Sequence, residues 1–458
     1  MKLISTNPSK NYEVIGEVEV STKKNVEDAA AKARTAFQTW SALSLQERCR
    51  ILNSFLTVSE KHTEEIAQVM CEEMGRTIVS CRANVREGID YFKAYIDMAE
   101  TYLSPKITLT NDTEIHRVYR EPWGVIAAIC PWNYPYQNIA WQCGQALIAG
   151  NTIIYKNSEE NPLFSKLLEK LISESKIPDG VFNILYGDGK VAQMMIEEDI
   201  NMISFTGSSK VGQLLARQAA EKFIPIVLEL GGSSPAIVFE DVKIDDQLIS
   251  YISDMRFSNC GQLCDAVKRL LVHKSKFDEV VEKLSKHVSQ LKVGEADKED
   301  TDMGPLVAKR QLELIEVQVA DAVVKGAKVV LGGKRPDHLK GAYYLPTILT
   351  NISKDMRVFT EETFGPVLPV IPFEDEPQAI RMANHTDYGL SAHIFTSDKK
   401  RFERVAAQIK AGSIAQNQVA YWNPKNPFGG YKKSGMGRIH GEFGFDDFTQ
   451  IKLVSEEK

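Results

Sequence analysis

Two cysteines stand a helical turn apart in FSNCGQLCDA, residues 257 to 266, with Cys260 and Cys264 flanking a Gly-Gln pair. A thiol so placed can hold a metal, form a redox pair, fill an apolar space or attack an electrophile. Zinc would need two further ligands at similar close spacing, and the nearest histidine, His273, has no ligand-like companion, so no metal is expected. Cys49, Cys71, Cys81, Cys130 and Cys143 sit among apolar or helix-forming neighbours and are expected to pack as small hydrophobes. Seven cysteines, an odd number, are too few in 458 residues for a disulfide scaffold.

Other segments carry chemistry at element ends. In LELGGSSP (228 to 235) Glu229 closes an apolar run before two glycines, where partial desolvation would raise its pKa and suit it to general-base work; a strand-end salt bridge is the plainer alternative. FTGSSKVG (205 to 212) follows a strand-like run and opens a helix, so amides near Gly207 and Ser208 could face an anion, or form only a capped turn. It matches neither the G-x-G-x-x-G fingerprint nor a GK[ST] phosphate loop. PWNYP (131 to 135) and EETFGP (361 to 366) likewise set polar groups among Gly, Pro and aromatic residues, where sites rather than cores are built.

The elements that must position these residues follow from the apolar pattern. From about 24 to 104, stretches such as VEDAAAKARTAFQTW repeat apolar residues at helical spacing. GVIAAIC, NTIIYK, FNILYG, MISFTG and IPIVLEL are then short β-rich runs separated by helical segments, the rhythm of a parallel sheet with crossover helices. A second series from about 236 offers AIVF, RLLVHK, AKVVLGG, VLPVIPF and SAHIFT. Two α/β domains are expected. With 43% hydrophobic and 25% charged residues the chain has the balance of a globular enzyme, and a net charge of −6 gives no general attraction to nucleic acid or anionic lipid. The N-terminus lacks an export-signal pattern and no apolar run approaches a membrane span, so a cytoplasmic protein is expected, with no nucleic-acid or membrane partner.

Taken together, PWNYP, FTGS, LELGG, GQLC, EETFGP and PFGGYKKSGMGR, in that order, resemble the aldehyde dehydrogenase superfamily over essentially the whole chain, most nearly its short bacterial succinate-semialdehyde dehydrogenase-like branch. The resemblance implies a Rossmann-like cofactor domain (1–104 and 123–235), a catalytic α/β domain (236–420) and a β-strand oligomerisation arm (105–122 and 440–458). Residues 421–439 would form a substrate-tunnel loop and return segment. A homodimer or homotetramer is expected, with the active site between the two large domains.

By the same resemblance Cys264 is the nucleophile and Cys260 a bystander, the Asn133 amide and the Cys264 N–H stabilise the oxyanion, and Glu229 activates water to hydrolyse a thioester. Lys156 and Glu159 match the adenosine-ribose contacts, Gly207 and Ser208 the pyrophosphate site with Trp132 beside it, and Glu362 and Phe364 the nicotinamide contacts. The expected cofactor is NAD, with NADP possible. Trp141, Trp422 and Asn423 line the substrate entrance. Trp141 stands where semialdehyde-specific relatives tend to carry an arginine, and Ser258 replaces a second one. A succinic semialdehyde carboxylate would therefore have to meet Lys425 or an arginine such as Arg256. Uncharged aliphatic or aromatic aldehydes, a CoA-acylating relative and a catalytically silent binding protein are the alternatives; Glu229 argues for water over CoA, and Cys264, Asn133 and Glu229 together argue against silence.

Overall fold

The computed structural model describes residues 1–458. Its first sheet is built from β1 (Val125–Ile129), β2 (Thr152–Lys156), β3 (Phe182–Leu185), β4 (Met202–Thr206) and β5 (Ile226–Glu229). These strands are parallel, in the order β5-β4-β1-β2-β3. Every residue of β1 and β2 is buried, because helices cover both faces; continuous apolar runs such as VIAAI are the outcome. Helix Lys23–Trp40 covers one face, its start fixed by a Thr22/Asn25 capping box, and buries Val26, Ala30, Ala33 and Trp40 along one stripe. The long helix Ile78–Leu103 packs in the core on the opposite face.

The chain crosses to a second sheet between Glu229 and Ser234. That sheet holds β6 (Ser234–Val238), β7 (Val267–His273), β8 (Lys328–Leu331), β9 (Thr347–Thr350), β10 (Val367–Phe373), β11 (Ser391–Phe395) and β12 (Ser413–Gln416), in the order β8-β9-β10-β7-β6-β11-β12. All pairs are parallel except β8 with β9, so AKVVLGG, expected within a parallel series, is an antiparallel edge strand instead. Lys328 and Val329 are exposed, and no helix lies between this strand and β9, so the link need not cross over. A last short strand, β13 (Gly435–Met436), returns to the first sheet and pairs antiparallel with β5, Gly435 opposite Glu229.

Strands Lys106–Thr110, Glu114–Pro122 and Thr449–Glu457 make a separate three-stranded antiparallel sheet with Ile107, Leu109, Ile451 and Leu453 exposed. Between the return strand and this sheet, Gly441–Asp447 is a short helix that sinks Phe445 into the first core. A hairpin of Lys2–Asn7 and Glu13–Glu19, not expected from the apolar pattern, precedes the helices. No helix is long and apolar enough to cross a membrane. The α/β fold with two large sheets and a β arm is the architecture expected.

Candidate active site

The Cys264 loop begins where helix Asp246–Phe257 stops. Asn259 and Cys260 have φ of 50° and 55° and lead into Gly261 at 71°, three left-handed residues in succession. Each non-glycine residue there costs on the order of 1–2 kcal/mol, so the turn must be held by its surroundings. Gln262 does much of this: its amide donates to the Asn259 carbonyl (3.0 Å) and its Oε1 accepts from the Val307 N–H (2.9 Å). The Asn133 amide, from the loop after β1, donates to the Gln262 carbonyl at 3.1 Å. Asn133 is thus brought to the Cys264 loop from the other sheet. Cys264 is half-buried against the first core, whereas Cys260 is buried in the second.

Behind Cys264 stands Lys268, the first residue after Val267 in β7 and 1% exposed. Its ammonium donates to the carbonyls of Gly232 (2.8 Å) and Cys264 (3.1 Å) and pairs with Glu362. Glu362 also accepts from the Gly232 N–H at 3.0 Å. Burial lowers the Lys268 pKa, and Glu362 acts against that drop. Burial pushes the Cys264 thiol well up; Asp265, Glu229 and Glu362 push the same way and Lys268 alone opposes them. The thiol therefore stays protonated until a base takes its proton.

Glu229 ends β5 and is 4% exposed, and neither carboxylate oxygen has a hydrogen-bond partner. Burial raises its pKa far above the carboxylate range; Arg438 draws it down and Asp447 adds to the rise. The PFGG segment folds against it: a Cβ at Gly429 would lie 2.8 Å from Glu229 Oε1, and its φ of +152° already disfavours a side chain. The salt bridge considered for Glu229 is absent, which leaves a desolvated carboxyl with both oxygens free of partners.

The C-terminal ends of the parallel strands form the crevice where such sheets take ligands, beside the point where strand order reverses between β1 and β4. Lys156 ends β2, is buried, and donates only to the neighbouring Asn157 carbonyl (2.8 Å). Both amide atoms of buried Asn157 and the Thr206 hydroxyl lack partners. Ser208 caps the 14-residue helix Ser209–Lys222 after β4, and the Gly207 N–H bonds the Glu229 carbonyl at 2.9 Å. Glu159 is exposed at the rim. Trp132 and Phe364 meet edge to face, centroids 5.6 Å apart, with the Lys268 ammonium 5.1 Å from the Phe364 ring. Unspent polar atoms and a helix N-terminus in this crevice fit a dinucleotide, whose pyrophosphate and ribose need such donors and acceptors.

Trp141, expected at the substrate entrance, lies in a π-helical stretch, Ile139–Gly144, and is 9% exposed with its indole N–H unpaired. Its ring meets Tyr91, Tyr134 and His440 at 6.1, 5.7 and 5.8 Å. Trp422 stacks on Phe428 at 5.1 Å and also touches Tyr421, while Asn423 is exposed and its side chain caps the Lys425 N–H. Arg256 is not available to a substrate carboxylate: it is fully buried and donates to the carbonyls of Thr363 and Gly365, holding the 361–366 loop. Lys425 is exposed. Sequence reasoning missed Lys268, Gln262, Arg438 and the Asp265–Tyr421 pair. The visible signal for Lys268 is a lysine inside the apolar strand run VKRLLVH; for Asp265 it is a carboxyl directly after Cys264.

Comparison with known proteins gives one family. The model of the "Aldehyde dehydrogenase family" matches residues 2–454. Betaine aldehyde dehydrogenase of Bacillus subtilis is 35% identical, covering 97% of this chain and 92% of the relative. The mitochondrial succinate-semialdehyde dehydrogenase of Oryza sativa is 34% identical over 99% of this chain and 86% of its own length. The crystal structure of betaine aldehyde dehydrogenase from Staphylococcus aureus with NAD+ superposes with a TM-score of 0.94 at 31% identity, over 99% of this chain and 91% of that one.

Proposed function

The chain belongs to the aldehyde dehydrogenase family, and on that premise we propose that it oxidises a free aldehyde to the carboxylic acid with water as the acyl acceptor. The observation that carries this is Glu229, buried with neither oxygen engaged and close enough to Cys264 to influence its thiol.

Cys264 loses its proton and its sulfur attacks the aldehyde carbonyl, giving a thiohemiacetal. The Asn133 amide and the Cys264 N–H receive the developing oxyanion; an amide has two N–H donors, so Asn133 can keep its bond to Gln262. Bound NAD, or NADP, supplies the hydride acceptor as the thiohemiacetal becomes a thioester. Lys156 and Glu159 would hold the ribose, Gly207 and Ser208 the pyrophosphate with Trp132 beside them, and Glu362 and Phe364 the nicotinamide. Glu229 then takes a proton from water, which attacks the thioester and releases the acid.

The aromatic surroundings of Trp141 and Trp422 support a general aliphatic or aromatic aldehyde substrate over strict selection of a carboxylate-bearing one, since Arg256 is engaged elsewhere. Succinic semialdehyde remains a second reading, supported by the relative at 34% identity that carries that name. The exposed apolar residues of the three-stranded arm support self-association into a dimer or tetramer, and seven free thiols suit a reducing cytoplasm. NADH formation from a panel of aldehydes, with and without CoA, tests the reading. Turnover without CoA is expected; a strict CoA requirement, or no NADH from any aldehyde, would overturn it.

A further inference from the structure

The Cys264 site lies at the C-terminal ends of the first sheet and just before the N-terminal end of β7 in the second. The opposite ends of the second sheet adjoin a separate cleft of about 760 Å³, a volume suited to a small organic ligand. Its twelve lining residues come from the chain past β9, the end of β10 and the segment around helix Glu376–Asn384, and none belongs to the Cys264 site or the cofactor crevice. Because β9, β10 and β7 run parallel, the far ends of β9 and β10 point away from Cys264. The carboxyl ends of parallel strands are where open sheets take ligands, and here they are otherwise unassigned.

Floor and rim differ in chemistry. Phe359, Ile371 and Met382 are buried and make an apolar floor. Lys354, Arg381 and His385 stand exposed on the rim, and none of the three forms an ion pair or a side-chain hydrogen bond. No acidic residue lines the cleft. The acids nearby in sequence are engaged elsewhere: Asp355 accepts from the Ser353 hydroxyl, Asp375 caps the helix, and Glu376 pairs with Arg401 and Arg404. The floor is also fixed in place. Buried Arg269 lies 5.6 Å from the Phe359 ring centroid and donates to the carbonyls of Met382 and Ala383, both at 2.9 Å, and of Ser233 at 2.8 Å. A preformed surface of this kind binds without first having to be ordered.

We infer that this cleft is a second ligand site, separate from the active site, for a carboxylate with an apolar chain. The floor takes up the chain, and the guanidinium fork of Arg381 matches a planar carboxylate through two parallel hydrogen bonds, with Lys354 adding a point charge and His385 a further polar edge. An inorganic anion would leave the floor empty, and a neutral apolar molecule would leave the rim cations unpaired. The site does not depend on the reaction proposed above, but the acid which that reaction releases has the required chemistry.

Calorimetric titration of the wild-type enzyme with octanoate, octanamide and inorganic phosphate tests the site. Octanoate should bind, while octanamide, which lacks the charge, and phosphate, which lacks the chain, should each bind at least about tenfold more weakly. The double variant Lys354→Ala/Arg381→Ala should weaken octanoate binding by about tenfold or more and leave aldehyde turnover within about twofold of wild type. Should that variant not fold, hydrogen exchange of the wild-type enzyme decides: octanoate should slow exchange in segments 352–360 and 376–385. No binding of octanoate, equal binding of either control, undiminished binding by the double variant, or protection confined to the Cys264 loop overturns the proposal while leaving aldehyde oxidation intact. Absence of NADH from every aldehyde overturns the reading of the reaction instead and leaves the cleft standing.

Discussion

Lys268 and Glu362 form a buried ion pair behind Cys264, and the same ammonium donates to the Cys264 carbonyl at 3.1 Å. Lys268→Met should slow alkylation of Cys264 by iodoacetamide, because the one charge drawing that thiol down is removed. Loss of a single partner from a buried pair should also cost about 3 kcal/mol in urea unfolding. Alkylation at the wild-type rate would show that Lys268 does not tune the thiol.

Cys264→Ala should abolish dehydrogenase turnover. Cys260→Ala should keep most of it and lose about 1 kcal/mol of stability, since Cys260 only fills a buried position in the second core. Steady-state NADH formation separates the two, and an equally inactive but folded Cys260→Ala would remove its bystander status.

Glu229→Gln should give a rapid-mix burst of NADH followed by slow turnover, because the base acts mainly after the hydride has gone. The substitution also carries a pH signature. A glutamate in the unfolded chain titrates near 4.5, while the buried Glu229 keeps its proton to much higher pH. Across that window the native state binds more protons than the unfolded one, so this carboxyl's contribution to stability is lost as pH rises. The Tm of Glu229→Gln relative to wild type should therefore climb from about pH 5 to about pH 8, and a flat difference would argue against the raised pKa.

With Asn133 as the proposed oxyanion donor, Asn133→Ala should lower kcat by about 10²- to 10³-fold with a smaller change in KM. Part of that loss can come from the nucleophile loop, because Asn133 also ties Gln262. Asn133→Asp, which keeps the shape and removes the donors, should be at least as damaging; turnover near wild type in either would exclude the amide from the transition state.

NAD should be preferred over NADP, since Glu159 at the crevice rim would repel a 2′-phosphate by about 1 to 4 kcal/mol depending on screening. Lys156 is already bonded to the Asn157 carbonyl and buried, which limits its use as a counter-charge. Comparison of kcat/KM for the two cofactors decides this, and a tenfold advantage for NADP would reverse it.

The strands were legible because both sheets are covered on two faces, so VIAAI and TIIYK stand out as unbroken apolar runs. The motif residues were legible because they sit at strand ends beside glycines, as Glu229 does. What escaped notice depends on contacts between distant segments. Lys268 reads as an oddity in an apolar strand until Glu362 is placed beside it, and Asp265 acquires meaning only through Tyr421, 156 residues away. Arg256 misled for the same reason: sequence shows its charge but not the carbonyls of Thr363 and Gly365 that occupy it.

The pairing of Gly435 with Glu229 sets an order of events during synthesis. About 200 residues separate the two strands, so at 5–20 residues per second the ribosome delivers β13 roughly 10 to 40 seconds after β5. Throughout that interval the edge of the first sheet is open, and a bare strand edge invites pairing with another nascent chain. The seven-stranded sheet lies wholly within the gap, so its folding must bring β13 back into reach. Slow, non-local closure of this kind makes the growing chain a natural client for chaperones that shield exposed β edges.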